Sequence, residues 1–346
     1  MILLYGAYGY TGELIARLAR QQGKELVLAG RNEARLNQLA EELKMPARAF
    51  DLNDAATIDA HLAGISVVLH AAGPFIHTAQ PMMQACLRNR IHYLDITGEI
   101  EVFEMAAQQD EAAQLAGIMV MPGVGFDVVP TDCTAAYLHQ QLPDATHLEL
   151  AFVSSGGVSQ GTALTMVENL GEPGAERIGG QIVPVPVGAH SMWVPAEPKP
   201  RFAMSIPWGD VSTAFHTTGI PNIRTYMGFS PKAYRWVKLQ RYLSWLLKLN
   251  WVRRMARKRI KKGPAGPSQE IRETAHTLVW GKVSNAEGKE VSATLITPEG
   301  YRLTAFFGLM IATQVAHDRF KPGFQTPAGC YGPELVLEMK GVKAWS

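Results

Sequence analysis

The stretch that most constrains the fold is the first twelve residues, MILLYGAYGYTG. Met1 to Leu4 is an apolar run that predicts a strand, with no leader expected before it. Gly6, Gly9 and Gly12 follow, and then ELIARLAR, which has helical spacing. A strand, a glycine turn and a helix in that order make a cradle for phosphate. Gly6 permits the tight turn, Gly9 lets backbone amides approach a pyrophosphate, and Gly12 lets helix and strand pack closely. The helix N-terminus then faces the negative charge. The spacing is G-x-x-G-x-x-G rather than G-x-G-x-x-G, a variant of the dinucleotide fingerprint. The competing reading is an ordinary glycine-rich βα turn.

The residues that follow repeat the pattern. Leu26 to Ala29 predicts a second strand, ending in Gly30-Arg31-Asn32. In dinucleotide folds this end meets the adenosine ribose, where an acidic residue would bind a 2′-hydroxyl. Here it is Arg31, with Arg35 one turn later, and a guanidinium suits a 2′-phosphate. NADP is therefore expected over NAD, against a solvated arginine at a helix start. Ala47 to Phe50 predicts a third strand. Asp51 at its end either accepts from an adenine amino group or caps the helix starting near Asp54. Ser66 to Ala72 is a continuous apolar strand of the buried parallel kind, with His70 read as a core histidine. Gly73-Pro74-Phe75 follows it, where a nicotinamide ribose and pyrophosphate would pass.

A helix over Gln80–Asn89, a strand over His92–Ile96, a helix over Val102–Ala116 and a strand over Ile118–Met121 complete the alternation. The expected fold class is α/β, a Rossmann-type doubly wound parallel sheet with a second, smaller α+β domain. Ligands of such sheets bind beyond the carboxyl ends of the strands. That rule places Asp95, Thr97, Glu99, Asp127, Thr131 and Asp132 on one rim. Carboxylates sharing a partly dry rim have shifted pKa values and exchange protons. Capping or loop solvation is the alternative for each, and Asp132 fits a cap before a helix starting at Cys133.

At this point GAYGYTG, AGRN, AAGPF, YLDITGE and GFDVVPTD, in that order and spacing, resemble the saccharopine dehydrogenase-like oxidoreductases. Within that group the chain looks most like the trans-acting enoyl reductase branch. GPAGPSQEIRE (Gly263 to Glu273) and TPAGCYGPELVLEM (Thr326 to Met339) are similar to later segments of that branch. The matches run along nearly the whole chain and are densest over 1–132. The resemblance implies an NADP-binding Rossmann domain over 1–132, a substrate domain over 133–300 and a C-terminal return to the first domain over 301–346. It implies reduction of a C=C or C=N bond by hydride transfer and leaves the substrate open. Carried over by position, Gly6, Gly9, Tyr10, Thr11, Gly12 and Arg31 become cofactor residues, with Ala72, Gly73 and Pro74 beside them. Asp95, Gly98 and Glu99 line the site, and Thr131 joins them on the substrate side. The chain departs from the commoner pattern at Tyr8, where a smaller Thr is usual, and at Val128, where Ser is usual and a rim hydroxyl is lost.

The C-terminal half has a different texture. Ser154 to Thr162 is a polar glycine-rich loop, read as a hinge or strand connection rather than a phosphate grip, with a helix near Ala163 to Leu170. Residues 181–230 hold prolines and aromatics that suggest an antiparallel sheet, one side of which could wall an apolar pocket. His276–Trp280 and Ser292–Thr297 read as paired strands, and Tyr301–His317 as a long apolar helix. Tyr234 and Lys238 form Y-x-x-x-K, a pair that falls outside the Rossmann domain and is read as chance.

The net charge of +2 hides an asymmetry. Residues 232–262 hold 12 of the 33 Lys/Arg and no Asp/Glu, which leaves 21 basic against 31 acidic residues elsewhere. If the first part of this block is helical, Trp236, Leu239, Leu243, Leu246 and Leu247 share one face, with Lys238, Arg241 and Lys248 opposite. Trp245 and Trp251 add interfacial character. The block predicts an anionic membrane surface or an acidic carrier protein as partner, against a helix with a solvated basic face. Nucleic acid is not expected, because no recognised binding module surrounds it. The other expected partners are a small-molecule or acyl substrate and a second copy in a homodimer. Cys86, Cys133 and Cys330 are widely spaced and fit neither a disulfide framework nor a metal site, which points to a reducing cytoplasm. The best candidate span, Thr304 to Ala316, is short and reads as a core helix.

The expected activity is therefore an NADPH-dependent reductase with Glu99 and Asp127 as candidate acids, since both follow strands nearest the expected nicotinamide. Two alternatives stand beside it. One is a saccharopine-type amino-acid imine reductase, which needs paired cations for substrate carboxylates. The other is an NADP-binding sensor or scaffold without turnover.

Overall fold

The computed structural model describes residues 1–168, 171–240, 249–260 and 262–346, which divide into two units. The first unit is Met1–Val129 with Tyr301–Cys330, and the second is Pro130–Gly300 with Tyr331–Ser346.

In the first unit, strands and helices alternate as β1 (Ile2–Tyr5), α1 (Tyr10–Gln21), β2 (Val27–Gly30), α2 (Glu33–Leu43), β3 (Ala47–Ala49), α3 (Ala55–His61), β4 (Val67–His70), α4 (Phe75–Asn89), β5 (His92–Asp95), α5 (Ile100–Ala107), α6 (Asp110–Ala116) and β6 (Met119–Met121). Among the described residues they build a seven-stranded parallel sheet in the order β3-β2-β1-β4-β5-β6, extended by the short strand Gly323–Phe324. The central strands are four-residue apolar runs buried on both faces, as a doubly wound sheet requires. Leu3, Tyr5, Val27, Ala29 and Val68 pack with Ile58, Phe75, Met82 and Val102. The alternate residues Leu4, Leu28 and Leu69 are also wholly buried, and alternation puts them on the opposite face. There the helix Gly300–Ala316 brings Gly308 against Leu69 and Ile15.

The second unit runs α7 (Val129–Gln141), β7 (His147–Ser154), α8 (Gln160–Glu168), β8 (Gly174–Ile178), β9 (Gln181–Val185), β10 (Ser191–Val194), β11 (Arg201–Ser205), α9 (Asp210–Thr218), β12 (Asn222–Gly228), α10 (Pro231–Gln240), α11 (Asn250–Ile260), α12 (Gln269–Thr274), β13 (His276–Ser284) and β14 (Glu290–Pro298). Its sheet is ordered β10-β11-β12-β7-β13-β14, with β8 and β9 joined at β12. The sheet is mixed rather than purely antiparallel, because β7 and β12 run parallel. One face packs Leu148, Leu150, Ile223 and Val283 against Ala135 and Leu138 of α7 and Ala214 of α9. The connection Ser154–Thr162 is sewn to β13 by Ser155, whose hydroxyl donates to His276 O and accepts from His276 N–H.

Two local expectations change. The helix expected from Cys133 starts at Val129, so Asp132 lies inside it and accepts from the Thr217 hydroxyl at 2.5 Å instead of capping. The last residues fall with the second unit, not the first. Trp345 stacks on Tyr137 at 4.4 Å and donates to the Thr134 hydroxyl, and Lys343 bridges Ile296. The helix expected near 163–170 is seen as α8, with residues 169–170 outside the described ones. The expected face of 234–262 is described only at α10 and α11; residues 241–248, with Arg241, Leu243, Trp245, Leu246, Leu247 and Lys248, lie outside, as does the Leu239 side chain.

Glycine spacing makes a stability prediction. A Cβ at Gly12 would collide with the carbonyl of Gly6, which is backbone and cannot yield. At Gly23 (φ +67°) nothing lies within 4 Å. Gly12→Ala should cost about 3 kcal/mol or more, and Gly23→Ala only about 1 kcal/mol, as read by urea denaturation. Equal losses would remove the close-packing argument.

Candidate functional site

The site is built at the carboxyl edge of the first sheet, where strand order reverses between β1 and β4. Gly6 turns the chain with φ +88°, and the amides of Gly6 and Ala7 both donate to Ala29 O at the end of β2. A Cβ on Gly6 would lie 2.8 Å from the Ala71 carbonyl, so the loop is pressed onto the end of β4 as well. Gly9 N–H donates to Gly6 O at 2.9 Å and Gly9 is the N-cap of α1. That N-cap supplies no side-chain hydrogen bond. By contrast Asn32 caps α2, Asp54 caps α3, and Glu99 serves the first amides of α4. The twelve-residue helix α1 thus turns an N-terminus without its own carboxylate or amide cap toward the glycine turn, which is what a pyrophosphate requires. Thr11 is half-buried there, and Tyr10 sets its ring edge-on to Tyr301 at 5.1 Å.

At the end of β2, Tyr8 lies over Gly30, whose Cβ would fall 2.5 Å from the phenol ring. The Tyr8 hydroxyl accepts from Asn32 N–H at 3.0 Å. The Arg35 guanidinium stacks on the same ring, 4.9 Å from its centre, and donates to Tyr8 O. Arg31 is exposed beside them. The residue that departs from the commoner pattern is therefore the one that holds Arg35 and the backbone of Asn32. Asp51 is exposed at the end of β3 and accepts from Asn53 N–H, while the α3 cap is Asp54.

After β4, Ala72, Gly73 and Pro74 form a turn with a cis Gly73–Pro74 bond, and the Thr78 hydroxyl donates to Ala72 O. Glu99 accepts from Phe75 N–H at 2.9 Å and Ile76 N–H at 2.7 Å. Its carboxylate thus stabilises the α4 N-terminus even though Glu99 itself precedes α5. Burial still raises its pKa, with those two amides opposing. Asp95 is 0% exposed and accepts from Tyr93 O–H, Thr97 N–H and Gly123 N–H. It ties the loops after β5 and β6 together from beneath, which corrects its expected place lining a substrate. Burial pushes it up to about 7. Behind it, His70 is wholly buried against Tyr5, Phe75 and Tyr93, and burial holds it neutral with a pKa of about 3.

Asp127 completes the group. A Cβ on Gly98 would lie 2.8 Å from Asp127 Oδ2, so the carboxyl in this position rests against the glycine and would have to shift for a larger residue. Burial, and then the charge of Glu99, push Asp127 up to about 7. The loop that carries it is held from afar: the Thr304 hydroxyl accepts from Phe126 N–H at 3.0 Å, and Gly125 faces the same side chain. The sequence reading missed Thr304; a hydroxyl inside an apolar helix was its only trace. Val128 is fully buried under Gly123, so its lost hydroxyl belongs to the core and not to the rim.

Thr131 and Asp132 lie within α7 and belong, by residue range, to the second unit. They are 2% and 0% exposed. Also there, Arg224 pairs with Glu176 at 3.0 Å, and Lys282 pairs with Glu149 and Glu290. These cations are already engaged across neighbouring strands.

Residues 2–121 match the family described as saccharopine dehydrogenase NADP binding domain. A saccharopine dehydrogenase-like oxidoreductase of Mus musculus is 27% identical over 161 residues, 41% of this chain and 38% of that protein. A trans-acting enoyl reductase of Mycobacterium leprae is 30% identical over 149 residues, 41% of this chain and 36% of that protein. The matched part of the chain spans less than half the length of these relatives. Among solved structures, saccharopine dehydrogenase (L-Glu forming) from Saccharomyces cerevisiae superposes with a TM-score of 0.67 at 14% identity, covering 99% of this chain and 98% of that one. That likeness is one of fold. The expected Rossmann-type sheet, a second α+β unit and an NADP-binding first domain agree with these matches, although the second unit, Pro130–Gly300 with Tyr331–Ser346, is the longer of the two and not the smaller.

The carboxyl pair makes an electrostatic prediction. In ¹³C carboxyl titrations Asp127 should titrate near pH 7, and Glu99→Gln should lower that midpoint by removing the neighbouring negative charge. An unmoved midpoint would show that the two groups do not interact.

Proposed function

We propose that the chain is a saccharopine dehydrogenase-like oxidoreductase and, within that group, an NADPH-dependent reductase of a C=C or C=N bond in an acyl or lipid-type substrate, a reading supported by the match of residues 2–121 and by the partial likeness to the relatives above. The observation that carries the reading is Asp127, a carboxylic acid with a pKa near 7 seated against Gly98 on the same sheet edge as the glycine turn. When bound, NADPH supplies the hydride.

The chain's own residues do the rest. Gly6, Gly9 and Gly12 keep the turn free of side chains, and the α1 amides face the pyrophosphate. Arg31 and Arg35 meet the 2′-phosphate. Arg35 is already held over Tyr8, so less rotamer freedom is lost on binding. Ala72, Gly73 and Pro74 shape the next stretch of wall, and Glu99 fixes it by holding the first turn of α4. Glu99 is thus a positioning residue. Asp127 gives its proton to the atom at the other end of the reduced double bond. The carboxylate left behind is half-buried beside Glu99, which favours its taking a proton back from water. The engagement of Arg224 and Lys282 with glutamates speaks for an acyl substrate over an amino-acid imine, whose carboxylates need free cations.

Two measurements test this. Arg31→Asp should weaken NADPH in isothermal titration by roughly a hundredfold and NADH far less, because it replaces a charge-assisted phosphate contact by repulsion. Equal losses would remove the 2′-phosphate assignment. Asp127→Asn should lower kcat for enoyl thioesters or imines by about 10²–10⁴-fold with cofactor affinity unchanged. The acid is protonated below its pKa, so wild-type kcat should fall as pH rises through about 7. Full turnover by the variant would dismiss Asp127 as the donor.

A further inference from the structure

Away from the nucleotide site, α10 and α11 present groups that no part of the reduction uses. We propose that their outward faces form a docking surface for a membrane rich in anionic lipid. Each helix is pinned by one side and open on the other. In α10, Tyr234 is buried, donates its hydroxyl to Gly188 O at 2.9 Å and packs on Phe202. Lys232, Arg235 and Trp236 lie on the exposed side, and Trp236 is 69% exposed. In α11, Val252, Arg253, Ala256, Arg257 and Ile260 turn inward, and Arg253 pairs with Glu172 at 3.0 Å. Trp251, Arg254, Met255, Lys258 and Arg259 share the other face, with Trp251 56% and Met255 61% exposed.

Large apolar side chains are left in water here although the helix has a partly buried side to which they could have been assigned. They are flanked by cations on the same face, and no Asp or Glu occurs from 232 to 262. Among the described residues of α10 and α11 the exposed large apolar groups are two indoles and a thioether, set apart by cations, which suits a lipid headgroup layer better than a partner protein's groove. Indoles settle at the headgroup level, and lysines and arginines beside them meet lipid phosphates. The acidic remainder of the chain confines that attraction to one patch. The helices are too short and too polar to insert across the bilayer. Among the described residues no helix is long and apolar enough to span one.

The test is co-sedimentation of the full chain with vesicles of phosphatidylcholine alone or of phosphatidylcholine with phosphatidylserine. Binding is expected to the second at low salt and to weaken as salt rises, with a blue shift of tryptophan emission. The combined variant Arg254→Gln, Lys258→Gln, Arg259→Gln should lose roughly a hundredfold in vesicle affinity, and Trp251→Ala should lose the larger part of the blue shift. Arg20→Gln with Lys340→Gln, which removes exposed cations elsewhere, should leave binding unchanged. Circular dichroism and the NADPH dissociation constant should match wild type in every variant, which separates this surface from the nucleotide site. No binding to phosphatidylserine vesicles overturns the proposal. So does binding that the triple variant leaves intact or that the control pair weakens equally. Capture of an acidic carrier domain without any vesicle binding would make the face a protein-docking site and overturn it too.

Discussion

The contact on which the first unit depends is the approach of the Gly6 carbonyl to Gly12. It brings the start of α1 down onto the end of β1, while the Gly6 and Ala7 amides reach across to Ala29. Without it the helix would stand off the sheet, and its amides would not face the turn. A Cβ would collide with backbone at Gly12 and at Gly6, and would be tight against the Gly6 carbonyl at Gly9, so the surface facing the phosphates is backbone. The binding chemistry is thereby a by-product of packing: the geometry that lets helix and strand touch is the geometry that exposes amide hydrogens.

Three carboxyl groups along the same edge differ by what each receives. Asp95 collects two amides and a phenol and serves as a buried clamp. Glu99 collects two amides from the helix beside it and serves as that helix's cap. Asp127 sits in the space left by a glycine and carries the burial cost with the charge of Glu99 added. Side chains of one chemical type thus differ by what surrounds them, from a fully bonded clamp to a helix cap to a carboxyl pushed up by burial.

Much of this was legible in the chain. The strands β1, β2, β4 and β6 are short, mostly apolar runs between helical stretches, and the glycines announce the turn, so the doubly wound sheet and the cofactor edge could be read from residues 1–121. Arg31 was legible because its position follows directly from the end of β2. Other features hide from local pattern. Glu99 looked like an acid or a cap for its own helix, but it caps α4, which only the fold brings beside it. Asp132 looked like a start signal, but the helix already begins at Val129. Thr304 touches Phe126 across 178 residues of sequence, and no periodicity reports a contact so remote. The C-terminal tail sided with the second unit because Trp345 finds Tyr137, a pairing that composition alone does not forecast.

The nucleotide-binding unit is made from two pieces of chain, Met1–Val129 and Tyr301–Cys330, and this has a consequence for biosynthesis. A ribosome delivers the six strands first and the helix carrying Gly308 and Thr304 only after the whole of the second unit's main body has emerged. Until then the sheet face bearing Leu69 lacks its cover and the Asp127 loop lacks its tether. The first stretch of this unit therefore waits for the segment Tyr301–Cys330, and its maturation is completed only after the intervening body of the second unit has been made.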